Sequence, residues 1–431
     1  MLVLPCLIGL IMLDTLIIHI PMRSEFVRQN GNLFSVVGDV ADYQIRAVPS
    51  YLKRDLLTGA ISYGDLRHPY ESLPSSYSGM AIKFNAVNVA NTPPYISLNA
   101  SCKILQGHNI YGGSSVRNLA SEMLYLLKSN YPEFFACLDL RQATISRIDA
   151  TFSVRLEHER LVQPCLRFLS NISKGQRKTD KDRRDFYNTV YWGGKTSREG
   201  GAKAYGKHTE VMNEVAQLKA AAKKGCSQSV HKLTVFTDEL LSWSANLLRF
   251  ESSTKKRKLE KLGLPTNLWH FIEYQQQNKD VLIMLWRMWF DPILQAISGD
   301  VQMENVDDAE IYELCRKNLV TVTAKGRLSY TKANNAFNFY QLLKNNGWED
   351  IKKRYQPRTF QINVKSLCDL GIPRALLQNL YEQQAKSVPM VDLVKFDFSN
   401  QYPADYQPVI SEHITDFDYI IKKKPNLRLV A

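Results

Sequence analysis

Residues 144–153 read TISRIDATFS, and the character of the side chains alternates along this stretch. Ile148, Ala150 and Phe152 are apolar, whereas the intervening positions carry Asp149 and Thr151. Alternation with a period of two is typical of a strand with one face in the core. The stretch therefore predicts a strand that carries a single carboxylate on its polar face.

Other segments extend this pattern into a fold. Further strand candidates are 13–20, 79–84, 95–105, 189–192, 202–207 and 247–253, and helix candidates are 116–128 and 238–246, the second after an N-cap residue, Thr237. Many strands without regular strand–helix alternation are typical of the α+β class. We predict a largely antiparallel central sheet with flanking helices, followed by a mainly helical C-terminal domain.

The first 22 residues are strongly apolar and allow two interpretations. No Lys or Arg precedes the apolar run, and Pro5, Asp14, His19 and Pro21 interrupt it, which argues against a signal peptide or a membrane span. The β-branched residues within 13–20 favour a buried strand. We predict a strand here, with a membrane segment as the alternative. No other stretch is apolar for long enough to cross a bilayer.

The charge balance points to a polyanionic partner. Among 431 residues, 55 are Lys or Arg and 42 are Asp or Glu, which gives a formal net charge of +13. Nucleic acid is the commonest polyanion in a cell. Two cationic stretches, 173–184 and 252–261, supply candidate phosphate contacts at Arg183, Arg184, Lys255, Lys256 and Arg257. Solvated surface is the alternative for both stretches. No P-loop or Rossmann fingerprint is present, which argues against an ATP-driven helicase.

A tyrosine among cations is the candidate nucleophile. Tyr205 lies in GGAKAYGKHTE, residues 200–210, with Lys203, Lys207 and His208 within three residues. On a strand, the two lysines would share the face of the tyrosine and His208 would lie on the other face. A phenol is a poor nucleophile at neutral pH unless a nearby cation favours its oxyanion. We predict that Tyr205 attacks a DNA phosphate with help from Lys207; a structural tyrosine is the alternative.

Three residues are candidate ligands for Mg²⁺ or Mn²⁺: Asp149, Glu251 and His108. Hard cations prefer carboxylate oxygens, and such an ion would polarise the scissile phosphate. Arg147 and Arg249 each lie two residues from one of these carboxylates, so plain ion pairs are the alternative. The same two arginines and Lys203 are also candidate DNA contacts. Two histidines bracketing one hydrophobic residue, the metal motif common among tyrosine nickases, are absent.

A domain boundary is predicted near residues 297–308, where Ser-Gly-Asp and an acidic cluster interrupt the apolar pattern. Residues 309–400 have helical spacing. Within them, 364–377 could form a helix–turn–helix with Gly371 at the turn. A DNA-reading role is one interpretation of this pattern, and packing within an all-helical domain is the other.

Several ordered motifs carry a resemblance to a known family. They are HPYESLP at 68–74, LQGHN at 105–109, TISRIDATFS at 144–153, AYGKH at 204–208, RFE at 249–251, GLP at 263–265, CDLGIP at 368–373 and FDFS at 396–399. Over residues 12–399 the chain resembles the gene II replication initiator of filamentous bacteriophages (inoviruses), a rolling-circle nicking and joining endonuclease. The family's nucleophilic tyrosine stands in an Ala-Tyr-x-Lys-His context, which falls on Tyr205.

The resemblance implies a Rep-like catalytic fold and a definite activity. Such an enzyme binds the origin on the double-stranded replicative form and nicks the plus strand through a 5′-phosphotyrosine. It then rejoins the displaced strand into a single-stranded circle. The expected partners are origin DNA, single-stranded phage DNA, a host helicase and polymerase, and a second copy at the origin, all in the host cell cytoplasm and without a membrane.

The resemblance also implies a domain plan. Residues 1–11 are an extension upstream of the family's usual start, so Met12 is a second candidate for the first residue. Residues 12–297 are the origin-nicking domain. Residues 303–431 are a DNA-binding or regulatory module that could also be made separately from Met303. The competing function, from another class, is a DNA-binding repressor or packaging protein whose tyrosine and carboxylates only hold the fold.

Overall fold

The computed structural model describes residues 11–37, 45, 48–49, 52–54, 58, 61–63, 66–67, 71–75, 78–89, 92–172, 188–194, 196–297, 308–323, 326–384 and 400–421. Arg183, Arg184 and Met303 lie outside the described residues, as does most of the predicted boundary. In the described part of the chain, no helix is both long enough and apolar enough to cross a membrane.

Strands are concentrated in the first two thirds of the chain. They are β1 Met12–Pro21, β2 Val27–Asn30, β3 Leu33–Val36, β4 Val48–Pro49, β5 Leu52–Arg54, β6 Ile61–Tyr63, β7 Leu66–Arg67, β8 Glu71–Pro74, β9 Gly79–Asn85, β10 Val87–Val89, β11 Tyr95–Ser101, β12 Thr144–Arg155, β13 Thr189–Trp192, β14 Gly200–Gly206, β15 Leu247–Lys255, β16 Thr321–Val322 and β17 Leu328–Ser329.

Helices lie between the later strands and fill the C-terminal third. They are α1 Lys103–Gln106, α2 Val116–Asn130, α3 Pro132–Ala136, α4 Val162–Asn171, α5 Lys207–Lys223, α6 Ser227–Leu233, α7 Asp238–Ser244, α8 Lys256–Lys261, α9 Leu268–Gln277, α10 Val281–Ile297, α11 Asp308–Asn318, α12 Thr331–Asn346, α13 Trp348–Arg354, α14 Pro357–Cys368, α15 Arg374–Gln384 and α16 Asp418–Ile421. As predicted, Thr237 caps α7: its side chain accepts the Leu240 N–H.

Eight strands form one antiparallel sheet in the order β13-β14-β15-β12-β1-β11-β9-β8. This sheet, its flanking helices and the helical C-terminal region confirm the predicted α+β class. The N-terminal apolar segment is an inner strand, β1, paired with β11 and β12. Several predicted boundaries were wrong. The strand predicted over 95–105 ends at Ser101, where α1 soon follows, and the strand predicted over 202–207 ends at Gly206.

The two faces of the sheet carry different helices. On the apolar face, α10 packs against β12 and β15, and the indole N–H of Trp286 donates to the Phe250 carbonyl at 2.9 Å. On the other face, α5, α6 and α7 cover a smaller apolar cluster that includes Val211 and Leu247. The polar residues of β12, β14 and β15 therefore lie on the face of the sheet that α5 partly covers.

A β-bulge in β1 explains why an acidic residue occurs in this buried strand. The pairing of β1 with β12 shifts register between Leu13 and Thr15. In a regular strand, Leu13 and Leu16 would point to opposite faces. The extra residue allows both leucines to enter the core, while Asp14 lies on the polar face. The sequence showed Asp14 only as an interruption of an apolar run.

Helices α11 to α15 build a second apolar core, which includes Phe339, Phe360 and Leu377. The predicted helix–turn–helix exists as α14 and α15, with Gly371 at a φ of 88° in the turn. Its second helix is buried, however, and packs against α4, α10 and α12. A recognition helix needs an exposed face to enter a groove. The interpretation as packing within a helical domain therefore fits α15.

Candidate active site

Three adjacent strands bring most of the candidate residues together. In the sheet register, Tyr205 of β14 lies opposite Arg249 of β15, and Lys203 lies opposite Glu251. On the other side of β15, Glu251 lies opposite Thr151 of β12. Paired residues in antiparallel strands point to the same face. Residues far apart in sequence are thereby assembled into one polar layer.

The Tyr205 phenol is buried, with 7% of its surface exposed, and it donates a hydrogen bond to Glu251 Oε2 at 3.2 Å. Two ammonium groups lie near its ring: Lys203 Nζ is 5.0 Å and Lys207 Nζ 6.0 Å from the ring centroid. Burial, and then the charge of Glu251, raise the pKa of the phenol well above its usual value. The resting tyrosine is therefore protonated and hydrogen-bonded to a carboxylate.

Lys207 reaches the site by a different route from the predicted one. It is the first residue of α5 and not a strand residue, so the expected face-sharing with Tyr205 along a strand was wrong. Its ammonium group is fully buried and donates to Asn109 Oδ1 at 2.7 Å and to Glu210 Oε2 at 2.9 Å. Burial, and then the charge of Arg249, lower the pKa of Lys207 to about 8.

The helix start at residue 207 also corrects the placement of His208. Its Nδ1 lies 2.7 Å from the hydroxyl oxygen of Ser244 at the end of α7, so the imidazole joins two helices. Glu210, one turn into α5, is the ion-pair partner of Lys207. Burial would raise the pKa of Glu210, but the charges of Lys207 and Arg249 outweigh burial and lower it to about 2.

Three carboxylates lie in the same layer, each with a hydrogen-bonding partner. Glu251 Oε1 is 3.0 Å from Lys203 Nζ, and Arg147 Nε donates to Asp149 Oδ1 at 2.8 Å. Asp14, the bulge residue, accepts from Asn109 Nδ2 at 2.8 Å. Burial raises the pKa of Asp149, and burial followed by the charge of Asp14 raises the pKa of Glu251 to about 7. Mutual repulsion among buried carboxylates is therefore only partly offset by the cations.

His108 lies in the loop after α1 and the turn residue Gly107, whose φ is 83°, and not on a strand. Its Nδ1 lies 3.3 Å from the backbone nitrogen of Ile110, whose N–H donates to it. Burial, and then the charge of Lys207, lower its pKa to about 3, so the imidazole is neutral near pH 7.

The carboxylates fit a divalent cation by their chemistry, because hard cations choose carboxylate oxygens. Among the residues that the structure describes, however, no three His, Cys, Asp or Glu side chains form a ready-made metal-binding group. A cation entering this layer would first have to draw Asp149 away from Arg147.

The predicted DNA contacts occupy three kinds of position. Arg249 is buried and donates to the Asn109 and Ile110 carbonyls, so it braces the site and does not reach a surface phosphate. Arg147 and Lys203 are engaged with carboxylates but have side chains about one third exposed, 34% and 32%. Lys255 donates to the Ser197 carbonyl at 2.7 Å. Lys256 and Arg257 are exposed at the start of α8, where DNA can reach them from the protein surface.

Sequence reasoning missed Asp14, Asn109 and Glu210. Asn109 connects two charged residues, because its amide nitrogen donates to Asp14 and its amide oxygen accepts from Lys207. The motif at 105–109 was a usable signal for Asn109, since a loop motif often carries polar contacts. No sequence pattern pointed to Glu210, which lies in an ordinary helical stretch.

Known proteins match nearly the whole chain. The N-terminal family of the phage replication-associated protein matches residues 12–280, and the C-terminal family of the same protein matches residues 322–410. The replication-associated protein of Enterobacteria phage M13 is 32% identical over 412 residues, which are 93% of this chain and 99% of that protein. That of Salmonella phage IKe is 31% identical over 415 residues, 93% of this chain and 97% of that protein.

No solved structure matches the chain. The family matches cover the strands and the α5 helix start that form the polar layer, and the relatives are matched almost from end to end. The chain, whose Tyr205 phenol is buried in this layer, therefore belongs to the gene II family, the replication-associated proteins of filamentous phages.

Proposed function

We propose that this protein initiates rolling-circle replication by nicking the plus strand at a phage origin and later rejoining the displaced strand. One observation carries the proposal: the Tyr205 phenol donates to a carboxylate while two ammonium groups lie close to its ring. Activated nucleophiles are found in this kind of setting, beside a proton acceptor and under positive charge. The family name of the relatives, replication-associated protein, supports the same process.

In the proposed reaction, the phenol oxygen of Tyr205 attacks the scissile phosphorus and its proton passes to Glu251 Oε2. The bond from phosphorus to the 3′ oxygen breaks, and that oxygen takes a proton from the Lys207 ammonium group. The products are a 5′-phosphotyrosine and a free 3′ hydroxyl. Joining runs the same steps backwards, so the ester bond is exchanged twice and no nucleotide cofactor is needed.

We further propose that the reaction depends on Mg²⁺ or Mn²⁺ held by the carboxylate layer. Asp149, predicted from the sequence, would have to leave Arg147 to bind the ion, and Asp14 lies close enough to affect the pKa of the same carboxyl group. Glu251 is shared between Lys203 and the phenol, and Nδ1 of His108 already accepts an N–H, so these two predicted ligands are less favoured. When bound, the cation would polarise the scissile phosphate.

DNA binding follows from the charge of the chain. The excess of 13 positive charges would draw the protein to origin DNA and to the displaced single strand. Lys256 and Arg257, exposed at the start of α8, are the proposed phosphate contacts outside the active site. A host helicase and polymerase, and a second copy at the origin, complete the proposed set of partners.

The test is covalent attachment to a supercoiled origin plasmid in Mg²⁺. The wild-type protein should yield open circles with protein bound at a 5′ end, and Tyr205→Phe should yield neither. Tyr131→Phe is a matched control, because Tyr131 also donates to a glutamate, Glu71 at 3.0 Å, but lies outside the polar layer. An adduct formed by Tyr205→Phe would disprove the nucleophile. Origin binding without any nicking by the wild type would favour the repressor alternative.

A further inference from the structure

The last described segment of the chain, residues 400–421, lies against the central sheet and α2, and we call it the strap. Gln401 holds one end of the strap to the sheet. Its Oε1 accepts the Ser153 N–H at 2.8 Å, and its Nε2 donates to the Ser153 carbonyl at 2.6 Å. Further along, Asn118 Oδ1 of α2 accepts the Ser411 N–H at 2.7 Å. The strap is therefore anchored beside the nicking site, although it follows the C-terminal helices in sequence.

Tyr406 of the strap contacts the loop that follows α1. Its hydroxyl donates to Gln106 Oε1 at 2.8 Å, and its ring centroid is 4.8 Å from that of Tyr111. Gln106 Nε2, at the same end of that side chain, donates to the carbonyls of His108, at 3.3 Å, and Tyr111. A side-chain amide has an accepting oxygen and a donating nitrogen, so a donor at the oxygen turns the nitrogen toward the loop. Tyr406 thereby fixes the orientation of Gln106.

The loop held in this way, residues 107–111, carries a residue of the candidate active site. Asn109 Oδ1 accepts from the Lys207 ammonium group at 2.7 Å. From the sheet, the Arg249 guanidinium group donates to two carbonyls of the same loop. The loop is thus bound on two sides, by Arg249 and by Gln106, and Asn109 lies between these two contacts.

The position of the loop matters because Lys207 is the proposed proton donor to the leaving oxygen. Burial, and then the charge of Arg249, lower the pKa of Lys207 to about 8, and the charges of Glu210, Lys103 and Asp14 act on the same ammonium group. An acid whose pKa is close to the working pH transfers its proton efficiently. A loosened loop would admit water to Lys207 and raise its pKa toward the ordinary value of 10.5.

We propose that Tyr406 is a positioning residue for the nicking reaction: through Gln106 it holds the 107–111 loop, and with it Asn109, against Lys207. Tyr406 itself touches neither the nucleophile nor Lys207, and its effect passes through two successive hydrogen bonds. This inference rests on the proposed nicking function and gives the far end of the chain a part in it.

The first test needs no DNA. Full-length protein is acetylated with acetic anhydride at pH 7.5, and the labelling rate of each lysine is read by mass spectrometry. Lys207 should label slowly in the wild type, because its side chain is fully buried. In Tyr406→Phe, which keeps the ring and removes only the hydroxyl, Lys207 should label about fivefold faster or more. Lys256, which is exposed, should label equally in both proteins.

Tyr402→Phe is the matched control. Tyr402 belongs to the same strap, and its ring centroid is 5.5 Å from that of Tyr406. Its hydroxyl forms no hydrogen bond with the described residues of the 107–111 loop. The control should therefore label at Lys207 as the wild type does.

The second test is the pH dependence of nicking on a supercoiled origin plasmid below saturation, where the rate reports the free enzyme. The wild-type rate should fall above about pH 8, because Lys207 loses the proton that it donates. In Tyr406→Phe the rate at pH 7.5 should fall about fivefold or more, and the alkaline limb should move upward by at least about half a pH unit. A variant that had only lost stability would nick more slowly without moving the limb.

Wild-type labelling of Lys207 in Tyr406→Phe would overturn the positioning role, as would an unmoved alkaline limb. Failure of the proposed function is a separate result, because it is read from the absence of a covalent adduct with the wild-type protein. The labelling experiment decides whether Tyr406 acts on Lys207 in either case.

Discussion

Replacing Lys207 by Met separates the stability of this site from its activity. Methionine has a similar length and no charge, so it removes the buried ammonium group without leaving a large cavity. The side chain is fully buried between Asn109 and Glu210, and burial is the main reason that its pKa falls from 10.5 to about 8. The folded protein therefore holds this charge at a cost in stability.

The size of that cost follows from linkage. One pKa unit corresponds to 1.36 kcal/mol, so the lowered pKa amounts to about 3 kcal/mol against the charged form. Between pH 8 and 10.5 the unfolded chain keeps the proton that the folded chain has released. The free energy of unfolding contributed by this group therefore rises with pH, by about 2 kcal/mol from pH 7.5 to pH 9.5. At pH 7.5 the lost hydrogen bond to Asn109, worth about 1–3 kcal/mol, offsets much of what the variant gains.

The assay is denaturant unfolding followed by tryptophan fluorescence at pH 7.5 and 9.5, with nicking measured at pH 7.5. We expect Lys207→Met to lie within about 2 kcal/mol of the wild type at pH 7.5. The wild type should gain about 2 kcal/mol in free energy of unfolding between pH 7.5 and pH 9.5, and the variant should not. Nicking should fall at least about a hundredfold, as when one donor to a transition-state oxygen is removed.

Lys103→Met is the control, because Lys103 forms a half-buried ion pair with Glu214 at 2.7 Å. Its loss should cost no more than about 1 kcal/mol and should spare nicking. If wild type and Lys207→Met gained the same stability from pH 7.5 to 9.5, Lys207 would not be held with a lowered pKa. Lys207 could then not be the buried cation that acts on the Tyr205 phenol.

Two further variants test the frame of the site. Gly200→Ala should destabilise the protein by about 3 kcal/mol or more, because φ is +123° and a Cβ would lie 1.9 Å from the Ser253 carbonyl oxygen. Gly225→Ala, with φ of +87° and open space around the Cβ, should cost about 1 kcal/mol, and equal losses in the two variants would refute the clash. Asp14→Asn keeps an oxygen that can accept from Asn109 but removes the negative charge. It should raise the Mg²⁺ concentration for half-maximal nicking at least about tenfold. An unchanged Mg²⁺ response would remove Asp14 from the proposed cation site.

The sheet was predictable because its strands obey local rules. The alternation in β12 put Asp149 on the polar face, and the same reasoning placed Glu251 of β15 there. Tyr205 and Lys203 share one face of β14 as expected, and both lie within reach of Glu251. Period-two patterning carries this information, since the two faces of a strand meet different environments.

The other parts of the site depend on structural features that the periodicity of the sequence does not predict. The sequence predicted a strand at Lys207 because the composition does not change after Gly206. In the structure, the strand ends at Gly206 and a helix begins at Lys207. Asp14 reaches the polar layer only through the bulge in β1. The contact of Gln401 with Ser153 joins residues 248 positions apart. Local sequence reports local preference, and these features arise from tertiary packing.

Burial and charge together set the resting protonation state of Tyr205, the proposed nucleophile. Two ammonium groups near a phenol would lower its pKa in water, yet burial and the charge of Glu251 act in the opposite direction and prevail. Tyr205 should therefore remain a phenol at pH values where an ordinary tyrosine ionises, near pH 10. The phenolate absorbance of the wild type minus that of Tyr205→Phe measures this directly. No difference should develop up to pH 10, whereas a midpoint at or below pH 10 would mean that the cations dominate. In the proposed reaction, a protonated Tyr205 gives up its proton to Glu251 only as it attacks the scissile phosphate, so no reactive phenolate stands ready before DNA enters the layer.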